Sequence, residues 1–139
     1  MAQRNETFVP GTLVVPKGAN VAFPNLDSVR HSIYSFSKPA RFQIDLYGRD
    51  QTRSQRFPLA GTVALGCNIH DKMRGYLRVV STPFAAASDL NGRAQIEGLV
   101  PGAYRVTLWH PRLRGSGNEA VQTVTITPGA PARLTLELR

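Results

Sequence analysis

The sequence is short of several features, and each shortage narrows the class of protein it can be. It has one cysteine, Cys67, so no disulfide can form within the chain. Nine acidic residues stand against 17 lysines and arginines, and the resulting net charge of +8 favours an anionic partner surface. No apolar run approaches the roughly 18 residues of a membrane-spanning helix. No stretch keeps a 3.6-residue apolar period beyond about two turns, so no long helix is predicted.

The sequence also lacks the patterns of the common catalytic sites. It contains no Ser-His-Asp order, no pair of catalytic carboxylates and no phosphate-binding glycine loop. We therefore predict no catalytic residue and do not expect an enzyme.

The positive charge is scattered, with eleven basic and five acidic residues in 1–81 and six and four in 82–139. Without a dense basic block or helix, an acidic protein partner is favoured over nucleic acid.

Short apolar runs, separated by proline, glycine and asparagine, predict an all-β fold. Residues 12–15 and 21–23 flank a Pro-Lys-Gly turn and predict a hairpin. Residues 48–56 are polar and without periodicity, which predicts a loop or a frayed turn. Residues 62–65 and 76–80 predict two strands on either side of a short loop.

Residues 66–76 concentrate the side chains that bind metals. Cys67, His70 and Met73 follow one another at three-residue intervals on the predicted loop. Soft sulfur and imidazole suit copper, and two His, one Cys and a weak axial Met describe a blue-copper electron-transfer site. The second histidine must be distant, and His31, 36 positions before the cysteine, is the candidate. Zinc is the rival metal, although a thioether is a poor zinc ligand.

Other residues near this pattern leave alternatives open. Asp27 and Asp71 either orient an imidazole or are solvated turn residues. Met73 is either a metal ligand or a filler of the core. His110 has no partner at metal-ligand spacing, so we predict a loop residue at the end of a strand.

The chain resembles the cupredoxins, the type 1 blue copper proteins, over roughly residues 6–81. The order of one early histidine followed by Cys, His and Met on a late loop is theirs, and the short loop is most similar to those of amicyanin and plastocyanin. Residues 25–36 and 67–76 resemble the bacterial methylamine-utilisation-type cupredoxin-like proteins more narrowly.

This resemblance implies a Greek-key β-sandwich over residues 1–81 that binds one copper ion and transfers single electrons in the periplasm. A leader is not visible in the first four residues. The implied copper ligands are His31, Cys67, His70 and Met73. The residues implied to support those ligands are Ser32, Asn68 and Asp71. The implied docking surface, for a redox protein with an acidic surface, consists of Ile69, Lys72 and Arg74. The alternative is a copper carrier or sensor that passes copper to a partner protein or docks on it.

Residues 82–139 predict a smaller β module that packs closely on the first domain. Asn91-Gly92 predicts a tight turn. The pattern from Asp89 to Tyr104 resembles the carboxypeptidase-regulatory-like β module. The predicted strands are residues 93–99, 104–109, 120–126 and 132–138.

Overall fold

The computed structural model describes residues 1–137 and is built almost wholly from β-strands. These are β1 (Ala2–Arg4), β2 (Thr7–Val9), β3 (Thr12–Pro16), β4 (Ala19–Pro24), β5 (His31–Ser37), β6 (Ala40–Tyr47), β7 (Thr52–Phe57), β8 (Gly61–Cys67), β9 (His70–Val80), β10 (Gly102–Trp109) and β11 (Glu119–Ile126). Within the described residues the helical structure is one short 3-10 turn, Ser116–Asn118, and no helix there is long and apolar enough to cross a membrane. The all-β prediction is confirmed.

The chain divides into two compact units, Met1–Gln95 and a second that begins at Ile96. In the first unit, five strands form a sheet in the order β3-β9-β8-β5-β6. β4 pairs with β7 in a second sheet, and β1 pairs with β2 in a short hairpin. β3 runs parallel to β9, whereas β9, β8, β5 and β6 are antiparallel neighbours. This arrangement is a Greek-key β-sandwich.

The core of the first unit follows from the two-residue period of its strands. Successive side chains of a strand point to opposite faces, so Val21 and Phe23 of β4 are buried while Ala22 between them is exposed. Fully burying such a side chain contributes about 1.5–3 kcal/mol. Strands of both sheets supply the buried apolar cluster, which includes Cys67 and Met73. The sandwich core therefore positions two of the predicted ligands.

One predicted pairing is wrong. Residues 12–15 and 21–23 lie in strands, but these strands belong to different sheets and do not form a hairpin. The turn between them bonds to both sheets, because the Lys17 amide donates to Val80 O at 2.8 Å and the Gly18 amide donates to Phe57 O at 2.7 Å. The turn thus carries the chain from one layer of the sandwich to the other.

The predicted loop or frayed turn at residues 48–56 holds for 48–51 but is wrong for the rest, because β7 occupies Thr52–Phe57. This strand pairs with β4 alone, and only Phe57 at its end is buried. A strand whose side chains are mostly in solvent needs no apolar alternation, so the sequence shows none.

In the second unit, β10 and β11 form an antiparallel pair from Gly102 opposite Ile126 to Trp109 opposite Glu119. The predicted strands at 104–109 and 120–126 are confirmed. Residues 93–99 and 132–137 are not strands, and Leu138 lies outside the described residues. The Asn91-Gly92 turn is present in the first unit, with Gly92 at φ +75°.

Candidate metal centre

The three-residue spacing of Cys67, His70 and Met73 lies on a tight hairpin. β8 ends at Cys67 and β9 begins at His70, so only two residues separate the strands. The register shifts there, since Gly66 pairs with Arg74 but Cys67 pairs with His70. The predicted loop at this position is therefore shorter than expected, and the methionine lies within β9. An irregular register of this kind redirects side chains at the end of a sheet.

Close packing explains the glycine that precedes the cysteine. Gly66 lies opposite Tyr34 of β5, and a Cβ atom at Gly66 would be 2.5 Å from the tyrosine ring. Glycine allows the ring to lie over the backbone beside Cys67. The strand end that carries the cysteine is thereby held against β5, the strand that begins with His31.

His31, Cys67 and His70 form a compact cluster. The cysteine Sγ lies 3.9 Å from His31 Nδ1 and 3.7 Å from His70 Nδ1. One ligand atom from each of the three residues lies within 4.8 Å of the other two. The rings of the two histidines are tilted by 58° with their centroids 4.9 Å apart. Both imidazoles thus present the same nitrogen, Nδ1, to the thiol.

The side of the cluster that contains His31 is buried and hydrogen-bonded. The histidine is 0% exposed, and its Nε2 donates to the carboxylate of Asp27 at 2.7 Å. That carboxylate also accepts the backbone amides of Asn5 and Glu6. Burial raises the pKa of Asp27, but the hydrogen bonds from the Glu6 amide, the His31 ring and the Asn5 amide outweigh it and hold that pKa below its usual value.

The imidazole of His70, on the other side, reaches solvent. Its side chain is 20% exposed, and its Nε2 lies 3.9 Å from the carboxylate of Glu6, which is itself 59% exposed. The exposed ring edge is the part of the cluster that an approaching molecule can contact.

The residues predicted to support the ligands differ in their contacts. Ser32 Oγ lies 3.8 Å from Cys67 Sγ and accepts the backbone amide of Asn68 at 3.0 Å, so it ties β5 to the cysteine hairpin. Asp71 is exposed and, within residues 1–137, makes no hydrogen bond or ion pair to either imidazole. For Asp27, the first of the two alternatives holds, because the carboxylate orients His31.

The predicted axial ligand and the predicted docking residues lie within seven positions of Cys67 in the sequence. Met73 is 2% exposed and belongs to the same apolar cluster as Cys67. Ile69 is 51% exposed, and Lys72 and Arg74 are exposed.

His110 directly follows β10 and accepts the Arg112 amide through Nδ1 at 3.2 Å, as the prediction of a loop residue at a strand end requires.

Sequence reasoning missed the contribution of the β1–β2 hairpin. Its turn residues, Asn5 and Glu6, both have positive φ, at 52° and 53°. Two such residues form the type I′ turn that usually carries glycine. Because this turn has no glycine and lies in a polar segment, the sequence gives no hairpin signal. Asn5 and Glu6 are also far from His31 and His70 in the sequence, so nothing in the sequence indicated that they lie at the cluster.

The donor set fits copper. One buried thiol, one buried imidazole and one partly exposed imidazole converge, and a methionine belongs to the same apolar core as the cysteine. Sulfur and imidazole together suit copper and zinc, and a thioether among the ligands would favour copper. The fold thus brings together the side chains that would hold the ion.

Comparisons with solved structures identify the fold of the first unit. A reduced amicyanin variant matches with a TM-score of 0.54 and 23% identity, over 57% of this chain and 78% of that one. A copper-containing nitrite reductase from Thermus scotoductus SA-01 matches with a TM-score of 0.54 and 26% identity. That match covers 57% of this chain but only 21% of the reductase. The first unit therefore has the cupredoxin fold and carries a His-Cys-His cluster.

The comparisons by sequence match only the later part of the chain. The family described as "Polysaccharide lyase family 4, domain II" matches residues 78–134. This span is less than half of the chain and concerns its C-terminal part. No curated protein matches the sequence. The resemblance of this part to a carboxypeptidase-regulatory-like module stays a prediction, as does its close packing on the sandwich.

Proposed function

We propose that the chain binds one copper ion through His31, Cys67 and His70, and that it transfers single electrons to or from a protein partner in the periplasm. The observation that supports this most is the convergence of one buried thiol and two imidazoles within 4.8 Å on a cupredoxin fold. Bound copper would supply one-electron oxidation and reduction. The protein supplies a fixed donor set, and a fixed set lowers the structural change that accompanies a change of oxidation state.

Met73 is the proposed fourth, weaker ligand. It is buried with Cys67 in the core, so replacing it with leucine keeps the apolar volume and should change stability by less than about 1.5 kcal/mol. If its thioether contacts the metal, Met73→Leu will shift the reduction potential and the visible spectrum with little change in the unfolding midpoint of the apoprotein. Unchanged potential and spectrum would assign Met73 to the core alone.

The proposed electron port is the exposed edge of His70. Ile69 beside it offers apolar contact, while Lys72 and Arg74 offer positive charge to an acidic partner. Such attraction weakens as salt screens it. The rate of association with an acidic redox protein should therefore fall with ionic strength. Reversing the charge in Lys72→Glu should slow association and reduce its dependence on salt.

A copper carrier is the second candidate, because the solvent-exposed edge of His70 would let another protein's ligand approach the metal. The two functions differ in exchange rate. A carrier transfers copper to a competing chelator within the time of mixing, whereas an electron carrier keeps its ion through many oxidation cycles. The rate of copper loss to a chelator, measured beside electrochemical cycling, separates them.

We further propose that residues 82–139 form an appended module. The family match to residues 78–134 and the β10–β11 sheet support a distinct segment after β9. Limited proteolysis that releases a stable fragment ending near residue 81 would support this boundary, and cleavage confined to another position would contradict it.

A further inference from the structure

The Asn5-Glu6 turn contacts the Asp27 carboxylate that bonds His31, and it also lies beside His70. Its two backbone amides donate to the carboxylate of Asp27, which accepts from His31. Its Glu6 side chain lies 3.9 Å from Nε2 of His70. The histidines are 39 positions apart in the sequence, yet a single two-residue turn reaches both.

The hairpin that carries this turn is anchored to the body of the sandwich. Gln3 of β1 is buried, and its carbonyl accepts the amide of Leu26 at 2.9 Å. The Gln3 side chain donates to the hydroxyl of Tyr47 at 2.6 Å, and that hydroxyl donates to Phe23 O at 2.9 Å. The turn therefore has a fixed position relative to the segment that contains Asp27.

The Asp27 segment is held equally firmly. Asn25 Oδ1 accepts the amide of Asp27 at 2.9 Å, and Asn25 Nδ2 donates to the carbonyls of Val29 and Tyr47. The carboxylate thus meets His31 and the turn amides in a preorganised arrangement. A carboxylate that accepts from Nε2 of an imidazole fixes the tautomer and leaves Nδ1 available as a ligand atom.

Glu6 stands at a backbone position that disfavours its residue type. Its φ of 53° belongs to the left-handed region, where glycine is preferred and a long side chain is disfavoured. Unfavourable backbone conformations concentrate at functional sites. An exposed ion pair contributes little to stability, so the stability of the fold does not explain a glutamate here. Its carboxylate lies 3.9 Å from Nε2 of His70.

We propose that the Asn5-Glu6 turn positions both histidine ligands, His31 through the Asp27 carboxylate and His70 through the Glu6 carboxylate. In each case the carboxylate attracts the N–H at Nε2, so that Nδ1 faces Cys67. Asp27 and Glu6 are positioning residues in this account, since neither lies among the three clustered ligand atoms. The inference rests on the proposed metal site for its purpose, but its geometry concerns the apoprotein.

The test begins on the apoprotein, at a pH where both imidazoles are neutral. Long-range ¹H–¹⁵N correlation spectra report which nitrogen of each ring carries the proton. The wild type should show both rings as the Nε2–H tautomer. Glu6→Gln should move only His70 towards a mixture of tautomers, and Asp27→Asn should move His31. Asp71→Asn is the matched control, because it removes an equal charge beside His70 without a contact to either ring.

Metal affinity provides the second measurement, with Cu(II) as the probe. Asp27→Asn should weaken binding by about 10–100-fold, as loss of a partner that orients a histidine ligand does. Glu6→Gln should weaken it by a smaller factor because its carboxylate is exposed, and Asp71→Asn should leave it unchanged. Glu6→Gly should raise the unfolding midpoint of the apoprotein, by relaxing the turn, while it weakens copper binding as Glu6→Gln does.

Two results would overturn the inference. One is that Glu6→Gln has the same tautomers and copper affinity as Asp71→Asn. The other is that the tautomer of His31 in Asp27→Asn is the same as in the wild type. If Cu(II) does not bind through Cys67 at all, the proposed function fails, but the apoprotein spectra still decide whether the turn positions the rings.

Discussion

The two sides of the His-Cys-His cluster differ in almost every physical respect. His31 is fully buried and bonded to Asp27, which is itself held by two backbone amides and by Asn25. His70 is exposed along one edge and has only a solvent-facing carboxylate at 3.9 Å. The sandwich fixes one imidazole as part of its core and presents the other at its surface. The proposed electron transfer would need both, a rigid donor set and a point of access.

The largest expected difference between the two sides concerns stability. Asp27→Ala leaves the buried His31 N–H and two backbone amides without their acceptor, and it should lower the free energy of unfolding of the apoprotein by about 3 kcal/mol. Urea denaturation measures this change. Glu6→Ala, on the open side, is the matched control and should cost about 0.5 kcal/mol or less. Equal losses for the two variants would remove the distinction.

Chemical labelling sharpens the same comparison without any substitution. Diethyl pyrocarbonate acylates accessible imidazoles, so in the apoprotein it should modify His70 and leave His31 unmodified. Peptide mass spectrometry identifies the labelled ring. Equal labelling of the two histidines at early times would show that the buried side opens as readily as the exposed one.

The last comparison concerns Tyr47, which lies on the buried side and pairs with His31 between β5 and β6. Burial raises its pKa to about 12, above the usual value of 10.0, despite the opposing hydrogen bond from Gln3. The fold therefore favours the protonated phenol. Its contribution to stability is complete below pH 10.0 and is lost as the pH rises towards about 12.

Tyr47→Phe removes this ionisable group. The stability of the wild type should fall more steeply than that of the variant between these pH values, as measured by chemical denaturation at each pH. Taking the difference between the two proteins cancels the titration of the other tyrosines and the lysines. Parallel curves would mean that Tyr47 ionises alike in the folded and unfolded chains.

Much of this site follows from local sequence pattern. The spacing of Cys67 and His70, with a distant His31, predicted the three residues that the fold brings together. Short alternating runs predicted the all-β class because they report which side chains face the core. Alternation depends only on residues that are adjacent in the sequence. The ability of cysteine and histidine to bind metals depends only on residue type.

The parts that sequence could not predict depend on pairing between distant strands. The patterns at residues 12–15 and 21–23 predicted strands correctly. That the two strands do not pair depends on the turn between them, where the backbone amides of Lys17 and Gly18 donate hydrogen bonds to opposite sheets. The polar β7 lacks alternation because little of it is buried. The Asn5-Glu6 turn was invisible for a different reason, since its positive φ angles usually signal glycine and here belong to asparagine and glutamate.

The central claim is that His31, Cys67 and His70 bind copper as one site. Its most direct test is the visible absorption and EPR spectrum after one equivalent of Cu(II), with Cys67→Ser measured in parallel. The account predicts an intense thiolate-to-copper absorption band and small copper hyperfine splitting in the wild type, and neither in the variant. A colourless wild-type protein, or copper binding that is the same without the thiol, would contradict it.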